Sequence, residues 1–258
     1  FKQKTAYEIM PSLVGSEMCI RDSIRDNRID FDELNHTYTI DKKSQAISVT
    51  QLVNKFFPEF DKEYWAEKES KKTGIHKEKI LNRWRELGEK ARNLGTELHS
   101  QIENYYNSLK YENSREFEKF INFHDKYISD KYEPYRTEWR IFDENKLLAG
   151  TVDMVYRKEN DDIFIFDWKR SKKIINSNGT VERENPFENG LKGLSHLSSS
   201  DYIKYCLQQN IYKYIIEKNY KKKVSSMNLL ILHPNYNTYH IVQVDEFSIE
   251  TEYLINSL

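Results

Sequence analysis

Apolar residues along this chain change their period twice, and those changes divide it into parts. Residues 1–23 show neither helical nor strand periodicity, and the pattern tightens near Phe31. Alternating runs at 36–40 and 46–49 predict short extended segments, after which Ser48 or Thr50 can cap a helix carrying Leu52, Val53, Phe56 and Phe57. Pro58 ends it. Charged helical sequence follows, studded with Tyr64, Trp65, Ile80, Leu81, Trp84 and Leu87. Gly95 is expected to interrupt this stretch. A new helix then presents Leu98, Ile102, Tyr105 and Tyr106 on one face, and Phe117, Phe120, Ile121, Phe123 and Tyr127 mark one more.

The period then shortens to two. Runs at 135–142, 147–156 and 163–169, separated by short polar turns, predict an antiparallel three-strand meander. A polar segment over 174–200 holds Gly179, Pro186, Gly190 and Gly193; a connection of that length is expected to be a functional lid or partly disordered. A helix over 201–219, strands over 227–233 and 239–244, and a terminal helix complete the chain. The order from Gly95 onward is helix, helix, three strands, helix, two strands. It predicts a mixed α/β (α+β) fold, with a central mixed sheet built on the meander and flanked by helices.

At 258 residues the chain is long for one domain and short for two. We expect a leader over 1–26, artefactual or disordered, and one domain over 27–258. That domain would comprise a helical part (50–132), a core (133–245) and the 174–200 insertion. The leader stretch 12–23 (SLVGSEMCIRDS) resembles a translated sequencing-adapter string; an ordinary flexible leader is the alternative. With 35 aromatics (4 Trp, 18 Tyr, 13 Phe) against 8 Gly and 5 Pro, the composition is that of a chain able to bury a core. No run of 18 apolar residues predicts a membrane span. Cys19 and Cys206 cannot form a disulfide framework or a cysteine-ligated iron–sulfur cluster, so a reducing cytoplasm is the expected compartment.

Forty Lys+Arg against 41 Asp+Glu leave a formal charge of -1, so the global basic excess typical of a nucleic-acid binder is absent. Resolved along the chain, the charge is uneven. Residues 138–167 carry eight acids and four cations, whereas 204–223 carry six lysines and one acid, and 66–92 nine cations and five acids. Such segments could flank an acidic, cation-holding site with basic walls that track a phosphate backbone. They could equally be solvated faces.

Asp153 and Asp167 fall in the second and third meander strands, 14 residues apart, the separation at which a tight hairpin brings them side by side. Acids are disfavoured in strand interiors, so either a bound cation such as Mg²⁺ or a hydrogen-bonded structural role would account for them. Lys169, two residues past Asp167, projects to the same strand face. A cation-binding carboxylate pair beside an ammonium group is the combination that phosphodiester hydrolysis uses. His99 and Glu103 share a helix face four residues apart, as do Gln208 and Tyr212. Each pair could also be an ordinary helix face.

The sequence order of these groups is more telling than any one of them. Gly95-Thr-Glu-Leu-His99-Ser-Gln-Ile-Glu103, then Glu138, Gly150-Thr-Val-Asp153, Asp167-Trp168-Lys169 and Gln208-Gln-Asn-Ile-Tyr212 together resemble the RecB-like branch of the PD-(D/E)XK nuclease superfamily. The chain is also similar to phage-type exonucleases and to the mitochondrial genome maintenance exonuclease group, through His36-Thr-Tyr and Ser48-Val-Thr-Gln-Leu. The resemblance covers about 36–244 and implies a restriction-endonuclease-like core. It implies a Mg²⁺- or Mn²⁺-dependent deoxyribonuclease, an exonuclease, acting on DNA single strands or duplex ends in recombination or repair. By carry-over, His99, Asp153, Asp167 and the Trp168 carbonyl would bind the metal, with Glu103 and Glu138 as further candidates. Lys169 would be the catalytic lysine, and Gln208 and Tyr212 would organise the site. Arg170, Lys172, Lys173, Lys204 and Lys213 are the expected phosphate contacts. The iron–sulfur cluster of several relatives has no ligands here. A nucleic-acid-binding or assembly module that keeps the scaffold without catalysis is the competing expectation.

Overall fold

The computed structural model describes residues 24–258, so Cys19 and the adapter-like stretch lie outside the described residues. Three short strands open the fold: β1 (Ile29–Asp32), β2 (Thr37–Ile40) and β3 (Ser44–Ser48), paired antiparallel. The meander follows as β4 (Glu133–Asp143), β5 (Leu148–Arg157) and β6 (Ile163–Lys169), then β7 (Val224–Ile231) and β8 (His240–Gln243). The helices are α1 (Val49–Asn54), α2 (Lys62–Thr73), α3 (Lys77–Tyr106), α4 (Arg115–Phe123), α5 (Asp201–Ile215) and α6 (Ser248–Asn256). All eight strands join one mixed sheet in the order β1-β2-β3-β5-β6-β7-β8, with β4 on the other edge of β5. The expected mixed α/β architecture is present.

Strand periodicity explains the two layers that cover the sheet. Ile163 and Ile165 of β6 and Leu229 and Ile231 of β7 join a buried cluster with α1, α5 and α6. The alternate positions Phe166, Trp168 and Leu230 join a second cluster with Leu98, Ile102 and Tyr106 of α3 and the Phe117, Phe120 and Phe123 stripe of α4.

One edge of β5 is shared. β3 pairs parallel to it only at Ile47↔Leu148 and Ser48↔Ala149, and β6 pairs antiparallel to it only from Met154↔Phe166 to Arg157↔Ile163. Between them, at 150–153, the sheet forks. β6 meanwhile stays paired with β7 as far as Lys169↔Ile231.

Several expectations are corrected. Gly95 does not interrupt the helical stretch: α3 runs 30 residues through both Gly88 and Gly95. The cost of about 1 kcal/mol per interior glycine is smaller than the gain from burying Leu98, Ile102 and Tyr106. Gly74, in the left-handed conformation at φ 73°, is the glycine that ends a helix, α2. The 174–200 segment is not a structureless lid, because Ile174, Ile175, Leu194 and Leu197 are buried in the first cluster and bridges join Ile175 to Val181 and Asn189 to Ser198. The expected leader extends too far as well: Arg25 donates to the Phe142 carbonyl at 2.8 Å, and buried Asp26 accepts from Trp139 Nε1 at 3.1 Å. Among the described residues, no helix is long and apolar enough to cross a membrane.

Candidate metal centre

The fork is lined by carboxylates. Thr137↔Met154 and Trp139↔Val152 are paired, which puts Glu138 across from Asp153; Met154↔Phe166 is the last β5–β6 pair, and one step on Asp153 meets Asp167. Glu138, Asp153 and Asp167 thus form a row across three strands. Like charges directly opposite one another destabilise a sheet, and the row therefore calls for cations. The backbone at Glu138 has φ 45°, a conformation unfavourable for a non-glycine residue and frequent at functional sites.

Asp153 closes the gap that the parting strands leave. Its Oδ2 accepts from the Trp168 amide at 2.8 Å, in place of the interstrand bond that the fork removes. His99 arrives from α3, on the opposite layer from α5. Its Nδ1 lies 3.6 Å from both Glu138 Oε1 and Asp153 Oδ2, and its Nε2 donates to the Trp168 carbonyl at 3.1 Å. The ligand atoms of His99, Glu138 and Asp153 all lie within 4.8 Å of one another. Two ligands at about 2.1 Å from one ion stand roughly 3.0 Å apart when adjacent and about 4.2 Å apart when opposite, so these separations fit a divalent cation. The Nε2–H bond to a backbone carbonyl is the kind of outer contact that orients a metal-ligating imidazole. The Trp168 carbonyl, the further ligand that the resemblance implies, is the group that accepts this bond from His99.

Asp167 is almost fully buried, at 1% exposure. Its Oδ2 pairs with the Lys169 ammonium and its Oδ1 accepts from Gln209 Nε2 at 2.9 Å. Burial raises the Asp167 carboxyl to about 6; Asp153 adds to the rise and Lys169 opposes it. Burial also raises Asp153, against the pull of His99. Burial alone would lower His99 and Lys169, but the acids outweigh it: Asp153 and Glu138 hold the imidazole at about 9, and Asp167 and Asp153 raise the ammonium. The site is short of positive charge without a further cation. Lys169 also sits 4.4 Å from the centre of the Tyr205 ring.

Gln208 and Tyr212 come together, Gln208 Nε2 donating to the Tyr212 hydroxyl at 2.8 Å and to Thr50 Oγ1 at 3.3 Å. Tyr212 reaches the fork because Gly150 leaves room: a Cβ there would stand 2.5 Å from Tyr212 Cε1. Tyr38, from the His36-Thr-Tyr entry, fills the other side with its hydroxyl 2.9 Å from Thr151 Oγ1. Glu103 stands apart from the His99, Glu138 and Asp153 group; burial raises its carboxyl, with Arg140 opposing.

Gln209 was missed at the sequence level. It lies three residues past Cys206 and seven past Tyr202, all three buried, and a wholly buried amide in that stripe is the available signal.

The expected phosphate contacts divide. Arg170 is tied to Glu116 at 2.7 Å and mostly buried, and Lys213 to Glu246 at 2.8 Å, so both answer to acids of the chain itself. Lys218, Lys222 and Lys223 likewise pair with Asp143, Asp161 and Asp162. Lys204 lies over the Phe57 ring at 5.1 Å. Lys172 is exposed just past β6, and Lys173 is 72% exposed with a long contact of 3.7 Å to Asp201.

No family model matches the chain, and no curated protein matches it. Solved structures do match, among them one titled "Crystal structure of SSO0001", 15% identical, covering 81% of this chain and 71% of that one with a TM-score of 0.32. A likeness that distant leaves the functional reading to the geometry of the fork.

Proposed function

We propose that this protein is a divalent-metal-dependent deoxyribonuclease, an exonuclease by its resemblance to the RecB-like branch. The observation that carries the reading is the carboxylate row Glu138, Asp153 and Asp167 in the sheet fork, with His99 against one part of it and Lys169 against the other. His99, Glu138 and Asp153 would hold the cation, with Asp167 beside them. One nitrogen and hard oxygens suit Mn²⁺ at least as well as Mg²⁺, since imidazole is a softer ligand than magnesium prefers. When bound, the cation supplies Lewis-acid polarisation of a phosphodiester oxygen and an acidified water.

The chain's own residues divide the remaining work. Lys169, partly buried and anchored by Asp167, would supply a fixed positive charge to a phosphorane as it gathers negative charge. Gln209 holds Asp167 from behind, so that Oδ2 faces the ammonium. The Trp168 amide and carbonyl fix Asp153 and His99 from one peptide strand. Tyr212 and Gln208 form the wall opposite Gly150. Lys172 and Lys173 would meet the DNA backbone as it leaves the fork.

The test is degradation of end-labelled single- and double-stranded DNA with Mg²⁺, with Mn²⁺ and in EDTA. Metal-dependent release of label is expected, with Asp153→Asn and Lys169→Ala each slowing it by about 10²–10³-fold. Rates unchanged in both variants would remove the site assignment. Metal-independent DNA binding without cleavage under any cation would favour the catalytically silent module.

A further inference from the structure

Away from the fork, α2 and the first half of α3 carry large aromatic side chains that the core does not absorb. Phe60 and Tyr64 are 57% and 56% exposed, and Phe187, on the 174–200 segment, is 76% exposed. They are not scattered. Phe60 packs at 5.9 Å against Trp84 of α3 with the rings tilted, Tyr64 meets Trp65 at 5.3 Å, and Trp65 meets Phe187 at 6.0 Å. Phe60 stands two residues before α2 and Tyr64 in its first turn, and α2 packs along α3, so the two ring groups lie on neighbouring parts of one helix pair; exposed Leu87 lies one turn past Trp84.

The surroundings of these rings are basic. Residues 62–92 hold ten Lys and Arg against six acids. Glu63, Glu67 and Glu69 are taken up by Lys77, Lys71 and Arg83, while the Lys68 ammonium lies 4.7 Å above the Trp65 ring. An apolar patch for a protein partner would be rimmed by mixed charge with lysine depleted. Rings interleaved with an excess of cations instead match unpaired bases stacking while phosphates run past ammonium groups. A duplex keeps its bases stacked inside and offers these rings nothing to cover.

We propose that the aromatic surface of Phe60, Tyr64, Trp65, Trp84 and Phe187 is a holding platform for single-stranded nucleic acid. This deepens the nuclease reading and rests on it for its purpose, because α3 carries both Trp84 and, 15 residues on, His99. At 1.5 Å per residue the helix separates platform and metal centre by about 22 Å. The platform would therefore grip a strand several nucleotides away from the bond to be cut, and its partner is a chain with free bases.

The arrangement also supplies its own reporter. Trp139 and Trp168 are buried in the core, so Trp65 and Trp84 are the tryptophans that a stacked base would reach. The experiment titrates the wild-type chain, in EDTA so that nothing is cut, with an oligo-dT strand and with a blunt hairpin duplex, following tryptophan emission and the anisotropy of a dye on the DNA. The single strand is expected to bind with quenching and with a salt-dependent affinity. Phe60→Ala and Phe187→Ala, both at exposed positions, should each weaken it about tenfold, the loss of one stacked base. Duplex binding of equal strength without quenching, or unchanged affinity in both variants, would overturn the platform. So would self-association of the free protein, seen by sedimentation, that already covers the two tryptophans. A chain that binds and quenches but never cleaves with any metal would sink the nuclease reading and leave the platform standing. One that cleaves normally in the Phe60 and Phe187 variants, with unchanged binding, would do the reverse.

Discussion

Gly150 carries only a hydrogen where any other residue would press a Cβ to 2.5 Å from the Tyr212 ring. Gly150→Ala must therefore push Tyr212, which is buried against the fork, out of place. The expected cost is about 1–3 kcal/mol in chemical denaturation, accompanied by loss of the proposed nuclease activity. Gln209 acts by a different means, through its 2.9 Å bond to Asp167. Gln209→Leu keeps the volume and removes the donor, and we expect the Mn²⁺ concentration for half-maximal cleavage to rise about 10–100-fold, as when other outer contacts of a metal site are lost. The two residues differ in how legible they were. Asp153, Asp167 and Lys169 stood out because acids in strand interiors are costly and a two-residue spacing sets a common face. Gln209 did not, because on a helix it is one step round from Gln208, and only the packed sheet shows which of the two faces the acids.

At the scale of elements, local chemistry was readable and its limits were tertiary. Ser48 forms the capping box of α1, accepting from the Gln51 amide while the Gln51 side chain accepts from the Ser48 amide. Ser48→Ala should cost about 1 kcal/mol, measured by thermal unfolding. Gly95 looked like a helix break and is an interior position of α3 with nothing within 4 Å of an added Cβ. Gly95→Ala should accordingly stabilise the protein by about 0.5–1 kcal/mol, and unchanged or lower stability would contradict a continuous α3. The 174–200 segment was misjudged for a related reason. Its four buried apolar residues show no helical or strand period, and they belong to a cluster built from α1, α5, α6 and the sheet.

At the scale of the molecule, the meander was legible because its turns are short, whereas the fork was not. The fork depends on β3 running parallel to β5 across about 100 residues of intervening chain, a pairing that no local pattern announces. The N-terminal strands are held to the rest partly by charge: Arg25 and Arg28 both grip Glu144 at the end of β4. The Arg25 guanidinium holds the Glu144 carboxyl at about 2, against 4.5 for the ordinary group. The unfolded chain therefore takes up this proton at higher pH than the folded one. The contribution is complete above about pH 4.5 and is lost as pH falls toward 2. Glu144→Gln should cost up to about 1 kcal/mol in denaturant titrations at pH 7, and the difference from wild type should vanish near pH 2.

The central claim is that a cation held by His99, Glu138 and Asp153 drives phosphodiester cleavage in the fork. Its most direct test is the initial rate of DNA cleavage as a function of Mn²⁺ concentration, for the wild-type chain and for Glu138→Gln. We predict saturable, metal-dependent cleavage in the wild type and a curve displaced to at least tenfold higher Mn²⁺ in the variant. Cleavage that persists in EDTA, or identical Mn²⁺ curves for the two proteins, would contradict it.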